Sequence, residues 1–150
     1  MSPFLDHVNS HSARNFAAGG IVIEQGERSC ELFVLVSGEV EILRDGVRVA
    51  KATEPGVVFG EMAILLGGSA TATVRALVPA VFSVIEEPRE FLMEHPEASL
   101  YVAELLARRL DSLNKYLIDV KQQYEGHDHL GMVDEVLDAL MHRPRRRPPN

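Results

Sequence analysis

From Arg14 to about Glu86 the chain is a succession of short apolar runs, each closed by a turn, and this punctuation limits most strongly what it can fold into. The runs are Ile21–Ile23, Leu32–Val36, Val40–Leu43, Val47–Val49, Val57–Phe59, Ala72–Leu77 and Ala80–Ile85. Gly19-Gly20, Gly26, Gly38, Asp45-Gly46, Pro55-Gly56 and Gly67-Gly68 separate them. Asp45-Gly46 stands between two runs as a two-residue hairpin turn, where both positions must tolerate positive φ. Leu32, Val34 and Val36 on one face with Phe33 and Leu35 on the other predict a strand buried on both sides, near the centre of its sheet. Seven or eight short strands so spaced predict a mainly β protein with C-terminal helices, its body an antiparallel β-roll of the jelly-roll-like sandwich kind.

Beyond Pro88 glycine is nearly absent and the apolar spacing turns helical. A short helix over Arg89–Glu94 leads into a long one from Pro96 to about Tyr124. In the long helix Ala103, Leu106, Leu110, Leu113, Leu117, Val120 and Tyr124 recur at steps of three and four, an a/d seam. Such a stripe can pack on the β-domain of its own chain or against a second copy. Its length favours the copy, so a homodimer is expected. Gly126 to Gly131 are expected to break the helix before a short terminal helix over Met132–Met141. The expected organisation is a β-roll over 12–95, a long dimerisation helix over 96–125, a short helical extension over 126–142 and a disordered basic tail over 143–150.

Charge narrows the function. Four of the 15 basic residues, Arg143, Arg145, Arg146 and Arg147, lie in the last eight positions, which leaves 11 against 22 acidic residues in the body, a net charge of -11. Such a surface repels a phosphate backbone, so direct nucleic-acid binding is not expected. The Pro-rich tail reads as a solubilising end or as a short anion-binding arm. Cys30, the single cysteine, cannot form an internal disulfide. No apolar run approaches the roughly 20 residues that span a bilayer, and no basic-then-apolar leader opens the chain. No membrane association and a cytoplasmic location are expected.

Phe59 to Ala76, FGEMAILLGGSATATVRA, is the most informative segment. A Gly-Glu step opening a helical turn, followed by a glycine-rich loop, is what a buried anion site needs: Gly60 permits close backbone approach, the first N–H groups of the turn are unpaired, and Gly67-Gly68 permit the return. With it go AAGGIVIEQGE (Ala17–Glu27), LFVLVSGEVEI (Leu32–Ile42) and HPEASLYVAELLARRL (His95–Leu110). In order and spacing these resemble the cyclic-nucleotide-binding domain of the catabolite-activator and cyclic-nucleotide-dependent kinase superfamily, from about Phe16 to Tyr124. The resemblance implies a regulatory, non-enzymatic module with cAMP or cGMP as the ligand class. It implies that Phe59, Gly60, Glu61, Met62 and Ala63 open a phosphate-binding cassette in which Glu61 accepts a hydrogen bond from the ribose 2'-hydroxyl. Ala70, Thr71 and Ala72 continue that cassette, and Arg109 and Asn114 of the long helix reach the ligand, Asn114 beside Leu113 where the family carries its base-contacting hydroxyls.

One departure matters more than the matches. The family arginine that neutralises the cyclic phosphate falls on Ala70. One such contact is worth on the order of 4 kcal/mol at an effective dielectric of 20 before desolvation, and the loss predicts cyclic-nucleotide binding weaker by roughly two to three powers of ten. Ser69, Thr71, Thr73 and Arg109 are the available compensators, whereas Arg75 has the wrong strand parity. Glu61 could instead be a surface carboxylate capping the turn, and Asn114 a solvated or register-setting neighbour of the seam.

Other constellations are weaker. His127, Asp128, His129 and His142 carry no pattern that fixes a metal, and none is expected. Cys30 lies beside Glu31, which would not activate a thiol. No histidine lies between His11 and His95, which argues against a cupin-like metal enzyme. The expected function is a sensor of a small anionic ligand that couples pocket occupancy to a dimer helix without a helix-turn-helix, the family's DNA-binding element. The alternative is a degenerate relative used for dimerisation or partner docking.

Overall fold

In the computed structural model, which describes Asp6 and residues 11–123 and 130–141, eight strands form two four-stranded antiparallel sheets and helices follow. The order is β1 (Ser12–Phe16), β2 (Ile21–Ile23), β3 (Leu32–Ser37), β4 (Val40–Arg44), β5 (Val47–Ala52), β6 (Val58–Phe59), α1 (Glu61–Leu66), β7 (Thr73–Ala76), β8 (Ala80–Ile85), α2 (Pro88–Glu94), α3 (Pro96–Gln123) and α4 (Leu130–Met141). One sheet runs β1-β8-β3-β6, the other β2-β7-β4-β5. The chain divides into two compact units, Met1–Val102 and Ala103–Asn150, with the boundary inside α3.

In the first unit the period of two decides the core. Phe33 and Leu35 of β3, Val74 and Ala76 of β7, and Ala80, Phe82 and Val84 of β8 form one buried cluster with Ile23, Val40, Phe59 and Ala70. Phe82 is its centre: the rings of Phe16, Phe33 and Phe59 approach it edge-on at 5.7, 6.1 and 6.0 Å. Phe59, the residue before the cassette glycine, is thereby fixed. Leu32, Val34, Ser83 and Ile85 alternate with the inward set and are buried too. β3 therefore runs inside its sheet with both faces covered, as its sequence predicts, up to Leu35. Val36 departs from the expectation at 37% exposure, because the β3–β8 register shifts between Leu35 and Ser37.

The β4–β5 hairpin turns on Asp45 (φ 52°) and Gly46 (φ 78°), with Arg44 paired to Val47. Both central residues have positive φ, as a two-residue hairpin of this hand requires. Gln25 braces it: its Nε2 donates to Asp45 Oδ1 at 2.8 Å, and Asp45 N–H donates to its Oε1 at 2.8 Å. β1 was not marked by an apolar run, since only Phe16 of its residues escapes full exposure. It is an edge strand held by pairing to β8.

On the outer face of the second sheet Glu41 is nearly buried. Arg75 Nε, on the adjacent strand, and Arg48 Nε each donate to its carboxylate at 2.7 Å. These hydrogen bonds, that from Arg75 before that from Arg48, hold its carboxyl below the ordinary 4.5. The sign follows: a lowered carboxylate gives stability that is fully present above 4.5 and is lost as pH falls through the lowered value. Glu41→Gln is expected to lower Tm near neutral pH, and its melting temperature should converge on the wild type's as the solution is acidified below 4.5. A gap that stays constant across thermal melts at both pH values would rule out the charged pairing.

The second unit holds the rest of α3, and α4. Leu106, Leu117 and Val120 are half-buried; Ala103, Leu110 and Leu113 are exposed. The last seam residue, Tyr124, and His127–His129 and His142 lie outside the described residues. The expected break through Gly131 is corrected: α4 starts at Leu130 and contains Gly131.

Candidate functional site

The cassette begins where β6 ends. Gly60 has φ 90°, and a Cβ on it would lie 2.8 Å from the carbonyl oxygen of Glu31. Only glycine lets the chain turn there against the start of β3. The turn delivers Glu61 into the first position of α1 with 6% exposure. Glu61 is therefore not the surface carboxylate that the capping reading expected. Ala63 and Ile64 of the same helix are buried, whereas Met62 is 44% exposed, which turns its side chain to solvent. α1 closes on Gly67 (φ 70°), whose N–H donates to Ala63 O at 2.9 Å.

The loop after Gly68 returns to the core through Ala70. Its N–H donates to Glu27 O at 2.8 Å, and its carbonyl accepts from Gly26 N–H at 2.8 Å. The side chain is buried in the inter-sheet cluster. The position at which the family resemblance expects an arginine therefore faces apolar neighbours. Thr71 and Ser69 are exposed and Ala72 is half-buried. Thr73 Oγ1 accepts from Gln25 N–H at 3.0 Å, so one of its lone pairs is engaged by backbone. Arg75 alternates with Val74 and Ala76 and reaches Glu41 on the outer face, in keeping with its parity.

Phe59 to Ala63, Ala70 and Ala72 thus belong to one strand-helix-loop excursion of the first unit. Arg109 and Asn114 belong to the second. Arg109 is exposed, and Asn114 Oδ1 is buried without a hydrogen-bond partner. A cavity of about 680 Å³ adjoins the cassette, lined among others by Arg28, Cys30, Ile64, Gly67 and Arg89. Arg89, read from the sequence only as the start of a short helix, donates from Nη1 to Ile64 O at 3.1 Å. Among the described residues no group of His, Cys, Asp and Glu is placed to hold a metal, and no helix is long and apolar enough to cross a membrane.

Residues 13–93 match the family described as the cyclic nucleotide-binding domain. The chain is 36% identical over 116 residues to glutaminase 2 of Bradyrhizobium diazoefficiens, covering 71% of this chain and 18% of that protein. It is 31% identical over 112 residues to the CRP-like cAMP-activated global transcriptional regulator of Mycobacterium tuberculosis, covering 71% of this chain and 50% of that one. The chain thus spans half or less of these curated relatives. The catabolite activator protein of Thermus thermophilus superposes with a TM-score of 0.66 at 23% identity, over 94% of this chain and 84% of that one, a likeness of fold. With the match running from β1 to the end of α2, through the whole roll and its Gly60-Glu61 turn, the chain belongs to the cyclic nucleotide-binding domain family.

Proposed function

We propose that the chain is a regulatory sensor in which the Phe59–Ala72 cassette receives a small anionic, nucleotide-like ligand and long helix α3 carries the signal. The observation that carries the reading is the pairing of a buried Glu61 with a glycine at which any side chain would strike backbone. A carboxylate has two oxygens and about four acceptor sites, so a buried one can accept from a ligand hydroxyl beside its protein partners. Cyclic nucleotides are the ligand class, held through Glu61 and the cassette amides, with Arg109 and Asn114 as the residues α3 would contribute. α3 would serve a homodimer, since Leu110 and Leu113 are 41% and 45% exposed. Occupancy then acts by differential affinity for two arrangements of the helices.

A second reading, a partner-docking domain that has given up its ligand, is favoured by Ala70, whose methyl group sits in the apolar cluster and offers an anion no charge. Calorimetric titration of the purified chain with cAMP and cGMP up to millimolar concentration separates the two. Binding is expected in the range of about 0.1–1 mM, weakened by the missing guanidinium. Heat changes indistinguishable from dilution for both nucleotides would reject the cyclic-nucleotide reading.

A further inference from the structure

The cavity of about 680 Å³ beside the cassette lies wholly in the first unit and is walled by three stretches of chain. The β2–β3 loop supplies Arg28, α1 supplies Ala63 and Ile64, and the step from β8 into α2 supplies the run Glu86–Glu90. Neither Glu61 nor Ala70 lines it, so the carboxylate and the arginine position on which the cyclic-nucleotide reading turns are not part of it. Its volume falls within the roughly 300–1,000 Å³ of small-molecule sites.

Its walls carry both signs of charge, and these do not neutralise each other. Among the described residues Arg28, Glu86 and Glu87 form no ion pair with an opposite charge. Arg89 uses one N–H on Ile64 O at 3.1 Å and keeps four others. The carboxyls of Glu87 and Glu90 hydrogen-bond each other; that bond, and then the charge of Glu87, hold the Glu90 carboxyl above the ordinary 4.5. Two carboxyls sharing a proton mark a place where an incoming cation removes repulsion. Ala63, Ile64 and Pro88, all buried, give the cavity an apolar side. A simple anion there would meet three carboxyl groups, and a metal ion two guanidinium groups. A molecule with one charge of each sign and an apolar body meets neither penalty.

We propose that this cavity binds a free α-amino acid with an apolar side chain. The carboxylate lies against Arg28 and Arg89, whose planar forks suit it. The ammonium has three N–H groups to donate, and the carboxyls of Glu86, Glu87 and Glu90 accept them. The side chain covers Ala63, Ile64 and Pro88. Arg89 stands between Glu87 and Glu90 in the first turn of α2, so both poles lie within about one helical turn, as the adjacent charges of an α-amino acid require. A peptide carries its two charges at opposite ends and does not match poles so close. The site does not depend on what the cassette holds.

Titration of the isotope-labelled full chain with L-leucine, followed by amide NMR shifts, tests it. Saturable shifts are expected at residues 28–30, 63–68 and 86–90, with a Kd on the order of 1 mM, while β4 and β5 stay unmoved. Arg28→Met and Glu86→Gln should each weaken binding about 10-fold or more without lowering Tm, since both side chains are exposed. Two analogues put the same question to the unaltered protein. L-leucinamide lacks the carboxylate and N-acetyl-L-leucine lacks the ammonium, and each should bind at least about 10-fold more weakly than L-leucine. No saturable shift at about ten times the expected Kd, or shifts away from these walls, would overturn the site. Equal binding of either analogue, or unchanged affinity in either variant, would overturn recognition of a zwitterion.

Discussion

Gly38→Ala is expected to destabilise the chain by at least about 3 kcal/mol, whereas Gly46→Ala should cost only about 1–2 kcal/mol, although both glycines have positive φ. The difference is space. Gly38 has φ 103°, and an added Cβ would lie 2.7 Å from Ala80 Cα, 2.7 Å from Pro79 O and 2.8 Å from Ala80 Cβ. At Gly46 (φ 78°) nothing lies within 4 Å. Backbone surrounds Gly38 because two crossings between the sheets meet there: Gly38-Glu39 carries the chain from β3 to β4, and Leu77–Pro79 carries it back from β7 to β8. Leu77 N–H donates to Glu39 O at 2.9 Å, so the two corners are bonded as well as packed. A methyl group at Gly38 must force them apart, and with them the register of β3 against β8. Urea unfolding of both variants against the wild type measures the ranking. Equal losses would mean that the corner yields at no cost and that only the dihedral matters.

Corners of this kind were legible as glycines but not as contacts, and that division runs through the whole chain. The apolar runs located most of β2 to β8 because a buried strand must carry apolar residues with a period of two; Asp45-Gly46 located its hairpin because few residue pairs accept positive φ twice, and with it β5, whose Val47 and Val49 are exposed. β1 escaped because an edge strand with solvent on most of its surface needs backbone pairing and little else. The Glu41–Arg75–Arg48 group escaped because its members are brought together by strand order: Arg75 is 34 residues from Glu41 in sequence and adjacent to it in the sheet. In the candidate site, Gly60 was readable because close approach demands one residue type, and the turn that follows carries Glu61 into a buried place. Arg89, which donates to Ile64 O, and Tyr101, whose hydroxyl donates to Gly56 O at 2.6 Å, were not. Their acceptors are backbone carbonyls, which every residue possesses, so no pairing of side-chain types could have announced them.

Ala70→Arg should strengthen cAMP binding by about two to three powers of ten while lowering the stability of the ligand-free chain. Both effects follow from where the methyl group sits. Ala70 is held on both sides by hydrogen bonds to Gly26 and Glu27, so the backbone has little room to retreat from a larger side chain. Its Cβ belongs to the cluster that includes Phe59, Val74 and Phe82. A guanidinium placed there without an anion leaves water without recovering its hydrogen bonds, which is the costly half of a buried ion pair. A cyclic phosphate supplies the other half. Melting temperature should therefore fall below the wild type's without nucleotide and rise steeply with it, as mass action requires of a ligand that binds only the folded state. Glu61→Gln in the same background should remove much of the gain, because the phosphate and the ribose are gripped together. Three results are informative. Restored binding would mean that the pocket is intact and that position 70 alone detunes it. A loss of stability that cAMP does not repair would mean that the inter-sheet space is a packed core rather than a binding cavity, the partner-docking reading. No change in either quantity would place the new side chain in solvent alongside Ser69 and Thr71, and would show that the family's arginine position has moved out of the pocket.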